Sequence, residues 1–318
     1  MNYSSTLGFK TTNSNTMKHI LITGGTGLIG TEITAQALKK GYAIRILTRS
    51  PKPSEGNVSY AYWNPSKGEI APDALQNIDY IIHLAGENIG DKSWSESRKK
   101  AILDSRIEST NTLLKALAQP NTVTKIMVAS AIGFYGNSES STPFVETDGS
   151  NRTGFAAEVA YAWEKELDKL STLGKTYIKG RVGIVLGNKG GAFPQMYTPA
   201  KMGVGYLGDG KQVFSWIHLT DLAASFLYLL ENTEGNETFN LVAPNPASYQ
   251  VFSKTLSKVI KMPILLPFVP AFIIRIVLGE MSNLVLNGAT ISSKKLSDKG
   301  FKFHYPTLSE ALTTLTGK

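Results

Sequence analysis

Apolar runs rich in Ile and Val, at residues 18–23, 43–48, 79–84, 125–130 and 176–182, alternate with longer segments of helical period at 28–40, 95–118 and 154–173. Short runs of this kind without polar alternation predict strands buried on both faces. Their alternation with helices predicts an α/β fold built on a doubly wound parallel sheet. After Gly183 the rhythm breaks: Gly and Pro cluster over 187–210, a helix is predicted from a cap at Thr220 and Asp221 to about Glu231, and 238–242 reads as one more strand. The expected organisation is an N-terminal extension over 1–16, a sheet domain over 17–186 to which 212–242 returns, and a smaller α+β lid region over 187–318.

Candidate chemistry begins where the first strand meets the first helix, at Thr23-Gly24-Gly25-Thr26-Gly27-Leu28-Ile29-Gly30. Gly24 suits a tight turn, Gly27 lets the main chain approach a pyrophosphate, and Gly30 lets the helix pack close to the sheet. The N-terminus of the helix offers unpaired N–H groups to phosphate oxygens. The segment predicts a dinucleotide site with Gly24, Thr26, Gly27, Leu28, Ile29 and Gly30 along the cofactor. The second strand ends in Thr48-Arg49-Ser50, without the acid that holds a ribose hydroxyl in NAD sites. A guanidinium there suits a 2′-phosphate, so NADP(H) is expected over NAD(H), the alternative being that Arg49 is a solvated loop residue.

Composition narrows the function classes. The 318 residues are 42% hydrophobic, enough for a large core and more than the usual span of one domain. Cysteine is absent, which excludes disulfides and thiolate chemistry and fits a reducing compartment, so a cytoplasmic location is expected. The four histidines, His19, His83, His218 and His304, lack metal-ligand spacing, and no metal is expected. The net charge is +8, but the lysines are dispersed and no nucleic-acid module accompanies them; solvated helix faces that attract anionic small molecules are expected instead. Residues 1–16 lack the apolar stretch of a secretory signal, and Met17, directly before the first strand, leaves the start residue open between Met1 and Met17. The apolar stretch 264–278 is interrupted by Pro267, Pro270 and Arg275 and falls short of the ~20 residues of a membrane span, so a core or partner-facing helix is expected.

Three further segments carry a resemblance. With the glycine turn, His83-Leu84-Ala85-Gly86, Ala129-Ser130-Ala131 and Phe134-Tyr135-Gly136 resemble the extended short-chain dehydrogenase/reductase superfamily. Gly86-Glu87-Asn88-Ile89, Trp94, Asp104-Ser105-Arg106, Ala162-Trp163-Glu164, Phe214-Ser215-Trp216-Ile217-His218 and Ala243-Pro244-Asn245-Pro246 are similar to its atypical sugar-nucleotide-epimerase-like branch, the epimerase family proteins. So is the tail at Leu278-Gly279-Glu280-Met281 and Gly300-Phe301-Lys302-Phe303, and the resemblance covers about residues 17–316. It implies an NADP(H)-binding Rossmann core with a C-terminal lid, in a branch whose substrate is largely unassigned and some of whose members are labelled cell-division inhibitors. Leu84, Ala85, Gly86 and Ser130 would then lie along the cofactor, and Asn88, Trp94, Arg181 and His218 would line the substrate space.

The superfamily's reaction implies a tyrosine acid/base with a lysine four residues on, a spacing that Tyr161 and Lys165 possess. In ordinary members a glutamate follows the lysine by four; if Glu164 is that glutamate, the two places fall on Ala156 and Ala160. Tyr161 would then be turned by about 140° and displaced roughly 7.5 Å along the helix. Ser130, Tyr135, Tyr161 and Lys165 are the candidate catalytic residues, with Tyr135, His218 or water as proton sources. Two functions fit: an NADPH-dependent reductase or epimerase of a polar small molecule, a nucleotide-sugar or phosphorylated carbonyl compound among the candidates, and a non-catalytic NADPH-responsive regulatory protein. A monomer or a homodimer is compatible with either.

Overall fold

The computed structural model describes residues 17–138 and 142–317; the expected extension over 1–16 lies outside the described residues. The strands are β1 His19–Thr23, β2 Ala43–Thr48, β3 Val58–Asn64, β4 Glu69–Ile70, β5 Tyr80–His83, β6 Lys125–Ala131, β7 Thr176–Val182, β8 Ile184–Gly187, β9 Gly190–Gly191, β10 Val204–Leu207, β11 Val213–Phe214, β12 Trp216–His218, β13 Glu237–Leu241, β14 Ala247–Ser248 and β15 Leu266–Val269. The helices are α1 Leu28–Lys39, α2 Glu96–Leu117, α3 Phe155–Leu167, α4 Phe193–Lys201, α5 Leu219–Asn232, α6 Tyr249–Ile260, α7 Ala271–Leu278, α8 Asn283–Leu286, α9 Lys294–Asp298 and α10 Leu308–Thr316.

One large sheet runs β13-β7-β6-β5-β1-β2-β3-β4, parallel throughout except at β4. Ile20, Leu21 and Ile22 on β1 and Ile126, Met127 and Val128 on β6 are all fully buried, although their side chains alternate between faces. Both faces are therefore covered, by the packed pair α1 and α5 and by the packed pair α2 and α3, as the unbroken apolar runs require. Strand order reverses beside β1, because α1 leads the chain to β2 on one side while β5 lies on the other. Such a switch point opens a crevice at the carboxyl ends of the strands.

Three elements differ from expectation. β3 did not read as a strand, because only Ala61 and Trp63 turn inward while Tyr62 is exposed near the sheet's edge. The cap of α5 is His218, whose Nδ1 accepts from Thr220 N at 3.2 Å, rather than Thr220 or Asp221. Asp221 instead accepts the N–H groups of His304 (2.8 Å) and Tyr305 (2.9 Å), tying the C-terminal tail to the helix. The stretch 154–173 is α-helical only to Leu167 and finishes as a 3₁₀ segment, Asp168–Leu173.

Beyond β7 a second apolar cluster forms around Phe193, Phe214, Trp216, Phe252 and Leu312, while α5 and β13 pack with the large sheet. The apolar stretch 264–278 divides at Pro270 into β15 and α7. Among the described residues no helix is long and apolar enough to cross a membrane.

Candidate functional site

β1 ends at Thr23 and the chain turns at Gly24, whose φ of +69° lies in the left-handed region. Gly27 N donates to Gly24 O at 3.1 Å, and Gly27 caps α1 with no side-chain hydrogen bond and no acid in the first turn. The leading N–H groups of α1 are thus left for an anion. A Cβ on Gly30 would stand 2.5 Å from Gly24 O and 2.6 Å from Gly25 Cα, and one on Gly24 would stand 3.2 Å from the Leu84 carbonyl carbon. Only bare backbone closes this turn, and the cradle it forms fits a pyrophosphate.

A buried layer beneath the turn ties β1 to β5. Thr23 Oγ1 accepts from Leu84 N (3.0 Å) and Ala85 N (3.1 Å), which leaves its proton for His83 Nδ1 at 2.8 Å. His83 Nε2 then carries the ring's proton and donates to Thr110 Oγ1 at 3.3 Å. Burial pushes the imidazole down from 6.5 to about 4, so it is neutral in the folded chain. The unfolded chain takes up the proton first as pH falls, so this contribution is complete above pH 6.5 and is lost on the way to pH 4. Urea unfolding across that window should show a loss of about 3 kcal/mol that His83→Gln flattens; an unchanged slope in the variant would assign the acid sensitivity elsewhere.

The turn opens into a groove of about 1120 Å³ at the carboxyl ends of the strands. Gly24, Thr26, Gly27, Leu28, Ile29, Gly30, Arg49, Leu84, Ala85, Gly86 and Asn88 all line it. Arg49 is exposed and forms no ion pair with a described residue. Trp63, Asn64 and Ser66 complete the wall beside it, contributions that the sequence reading missed together with β3. Arg106, on α2, also lines the groove; it packs over the Trp163 ring at 5.1 Å and donates to Glu87 O at 3.0 Å. Burial pushes this guanidinium down to about 10.

A smaller pocket of about 140 Å³ adjoins the groove, with Ile184, Val213, Leu284 and Asn287 as a common wall. Trp94, Phe155, Ala156, Asn137 and Thr153 line it, and among the described residues no Asp, Glu, His, Lys, Arg or Tyr does. Ala156, the place inferred from the Glu164 register, is therefore a pocket residue.

The structure places the other expected site residues elsewhere. Ser130 Oγ donates to Glu164 Oε1 at 2.7 Å, and Arg181 grips the same carboxylate through Nε (2.8 Å, to Oε1) and Nη2 (2.9 Å, to Oε2). Arg181 Nη1 donates to Tyr135 OH at 2.8 Å, and that hydroxyl donates to Asn240 Oδ1 at 2.7 Å. All five residues are buried, and Ser130, Tyr135 and Arg181 line neither the groove nor the pocket. Burial raises the Tyr135 phenol against the opposing pull of Arg181. Burial alone would raise the Glu164 carboxyl too, but Arg181, Ser130 and Lys179 together hold it below the usual carboxylate value. Tyr161 stacks on Phe134 with Arg152 and the exposed Lys165 over its ring, away from both cavities. His218, capping α5 and packed on Tyr305, also lines neither. The reason is common to all: each side chain finds partners distant in sequence, and Glu164 was read only as a register mark.

Residues 20–241 match the model of the NAD dependent epimerase/dehydratase family, and residues 269–315 match a domain of unknown function, DUF1731. The chain is 36% identical over 300 residues to epimerase family protein YfhF of Bacillus subtilis (strain 168), covering 93% of this chain and 97% of that one. It is 35% identical to epimerase family protein SAR0825 of Staphylococcus aureus (strain MRSA252), covering 95% and 100%. Among solved structures, human epimerase family protein SDR39U1 (isoform 2) with NADPH superposes with a TM-score of 0.83 at 26% identity, covering 94% of this chain and 99% of that one. A nucleoside-diphosphate sugar epimerase from Corynebacterium glutamicum does so at 0.76 and 28% identity, covering 95% and 59%. Since the span matched by the first model takes in the large sheet and the turn that opens the groove, the chain belongs to the NAD dependent epimerase/dehydratase family.

Proposed function

We propose that the chain binds NADP(H), with the glycine turn on the pyrophosphate and Arg49 on the 2′-phosphate, and reduces or isomerises a small neutral carbonyl compound held in the adjoining pocket. The carrying observation is that the groove holding the turn and Arg49 shares a wall with a chamber that has no charged lining among the described residues. That lining favours an unphosphorylated substrate over a nucleotide-sugar or a sugar phosphate, whose anionic oxygens would have no cation in the chamber. The NADPH bound to SDR39U1 supports the nucleotide reading.

Held by the glycine turn and Arg49, NADPH would supply the hydride for the carbonyl carbon and would leave as NADP⁺. The carbonyl oxygen takes its proton from water, because none of the described residues lining the pocket has a titratable side chain. Trp94 and Phe155, edge to face at 4.9 Å, enclose the substrate's apolar part, and Asn137 and Thr153 offer hydrogen bonds to its oxygen. In this reading Ser130, Tyr135, Tyr161 and Lys165 touch neither substrate nor cofactor; Ser130, Tyr135 and Arg181 hold the end of β6 against β7.

Arg49→Glu should weaken NADPH binding about tenfold to hundredfold while leaving NADH little changed, as calorimetry with both nucleotides would report. Equal losses for the two would remove the 2′-phosphate contact. Neutral carbonyl compounds are then screened for transfer of deuterium from labelled NADPH. Tight NADPH binding without transfer to any carbonyl favours the second reading, an NADPH-responsive binding protein, for which Ala156 and the occupied hydroxyls speak.

A further inference from the structure

The face formed by β15 and α7 takes no part in the groove's chemistry. Gly203 O accepts from Leu265 N (2.8 Å) and Leu266 N (3.0 Å), which sets exposed Met202 beside exposed Leu265. Phe268, also exposed, stacks on Tyr206 at 6.0 Å, and Pro270 leads the strand into α7. On α7, Phe272, Ile273, Ile276 and Val277 are 62%, 41%, 78% and 69% exposed, whereas Ile274 turns inward. At about 100° per residue these four span roughly 140° of the helix surface, and Arg275 lies just outside that arc. A contiguous apolar face of this kind is rare on a protein that meets only water.

The charge around it is predominantly positive. From Thr238 to Gly279 the chain has no Asp or Glu and four cations, Lys254, Lys258, Lys261 and Arg275, while Lys201 stands next to Met202. All five are exposed, and none forms an ion pair with a described residue. The bounding acids are engaged: Glu237 pairs with Lys295 and Lys299, and Glu280 with Lys99. Asp209 follows Gly208, whose N–H donates to Val269 O beside the start of α7, and its carboxylate accepts from Lys211 N.

Two protein occupants fit poorly. Strand addition to the open edge of β15 meets Pro267, which has no N–H to donate. A second copy across a two-fold axis would set Arg275 and the lysines against one another with fewer carboxylates than cations between them. An anionic bilayer meets both features, since the apolar arc enters the acyl boundary while Arg275 and the lysines reach the phosphates.

We propose that this face docks the protein peripherally on anionic lipid, with α7 lying in the plane of the interface. Leu278, the last residue of α7, and Met281, three residues on, line the groove, so the bilayer would sit at its mouth.

The test is sedimentation of the full chain with vesicles of phosphatidylcholine alone or mixed with phosphatidylglycerol. The protein is expected in the pellet with the mixed vesicles at low salt, and to be released by high salt or by neutral vesicles. Phe272→Glu and Ile276→Glu should each reduce vesicle affinity about tenfold or more, with the thermal midpoint and NADPH affinity unchanged. No pelleting of the wild type at low salt, equal pelleting with neutral vesicles, or unaltered pelleting of both variants would overturn the proposal. So would a wild-type dimer that Ile276→Glu converts to monomer, which would assign the face to a second copy.

Discussion

Gly30→Ala is expected to weaken NADPH binding about a hundredfold and to lower folding stability by about 2–3 kcal/mol. The new methyl group would stand 2.5 Å from Gly24 O and 2.6 Å from Gly25 Cα, both backbone atoms, so no rotamer change relieves it. Either α1 withdraws from the turn or the turn opens, and both displace the leading N–H groups of the helix from the phosphate position. Gly27→Ala separates the two effects, because its Cβ meets only Gly24 O at 3.4 Å and its extended backbone, φ −80° and ψ 175°, suits alanine. That variant should keep its stability and lose nucleotide affinity, since Gly27 lines the groove. Calorimetry and urea unfolding on both variants decide the matter; undiminished NADPH affinity in the two would remove the turn from the cofactor site.

The second large effect is expected at Glu164, where alanine should cost about 3–5 kcal/mol. The carboxylate is 3% exposed and accepts Arg181 Nε and Nη2 and Ser130 Oγ, so its removal leaves a buried guanidinium without its counter-charge. The pH dependence has a definite sign. The folded carboxyl is held below its ordinary value of 4.5, so as pH falls the unfolded chain is protonated first. The stabilisation is complete above about pH 4.5 and is lost as pH drops through the folded value, a window below the one set by His83. Glu164→Gln, which has no charge to titrate, should lack that loss. Unfolding of Glu164→Ala at the wild-type urea concentration would refute the structural role, and loss of activity at full stability would return Ser130 and Tyr135 to the chemistry.

How much was legible follows from the range of each interaction. The parallel strands β1, β2, β5, β6 and β7 are visible as apolar runs because a strand covered on both faces needs no partner's identity to be recognised. β3 was not, because near the edge its burial falls to alternate residues and its aromatic positions are divided between core and solvent. The glycine turn that opens the groove was legible in the sequence, since glycine freedom and the opening of a helix are local properties. The surroundings of the candidate catalytic side chains were not. Ser130 meets Glu164 across 34 residues, Tyr135 meets Asn240 across 105, and Ile184 and Asn287 share one pocket wall.

By itself, then, the amino-acid order determined the central parallel strands, the glycine turn between β1 and α1 and the guanidinium just beyond β2, all of them consequences of periodicity and backbone freedom within a few residues. Tertiary structure alone decided which hydroxyls face a cavity and which are buried in a polar network, that the described lining of the chamber beyond the groove is uncharged, and that the apolar stretch after Pro263 remains largely on the surface. A side chain's role depends on the groups that replace its water, and in this fold those groups arrive from segments far apart in sequence.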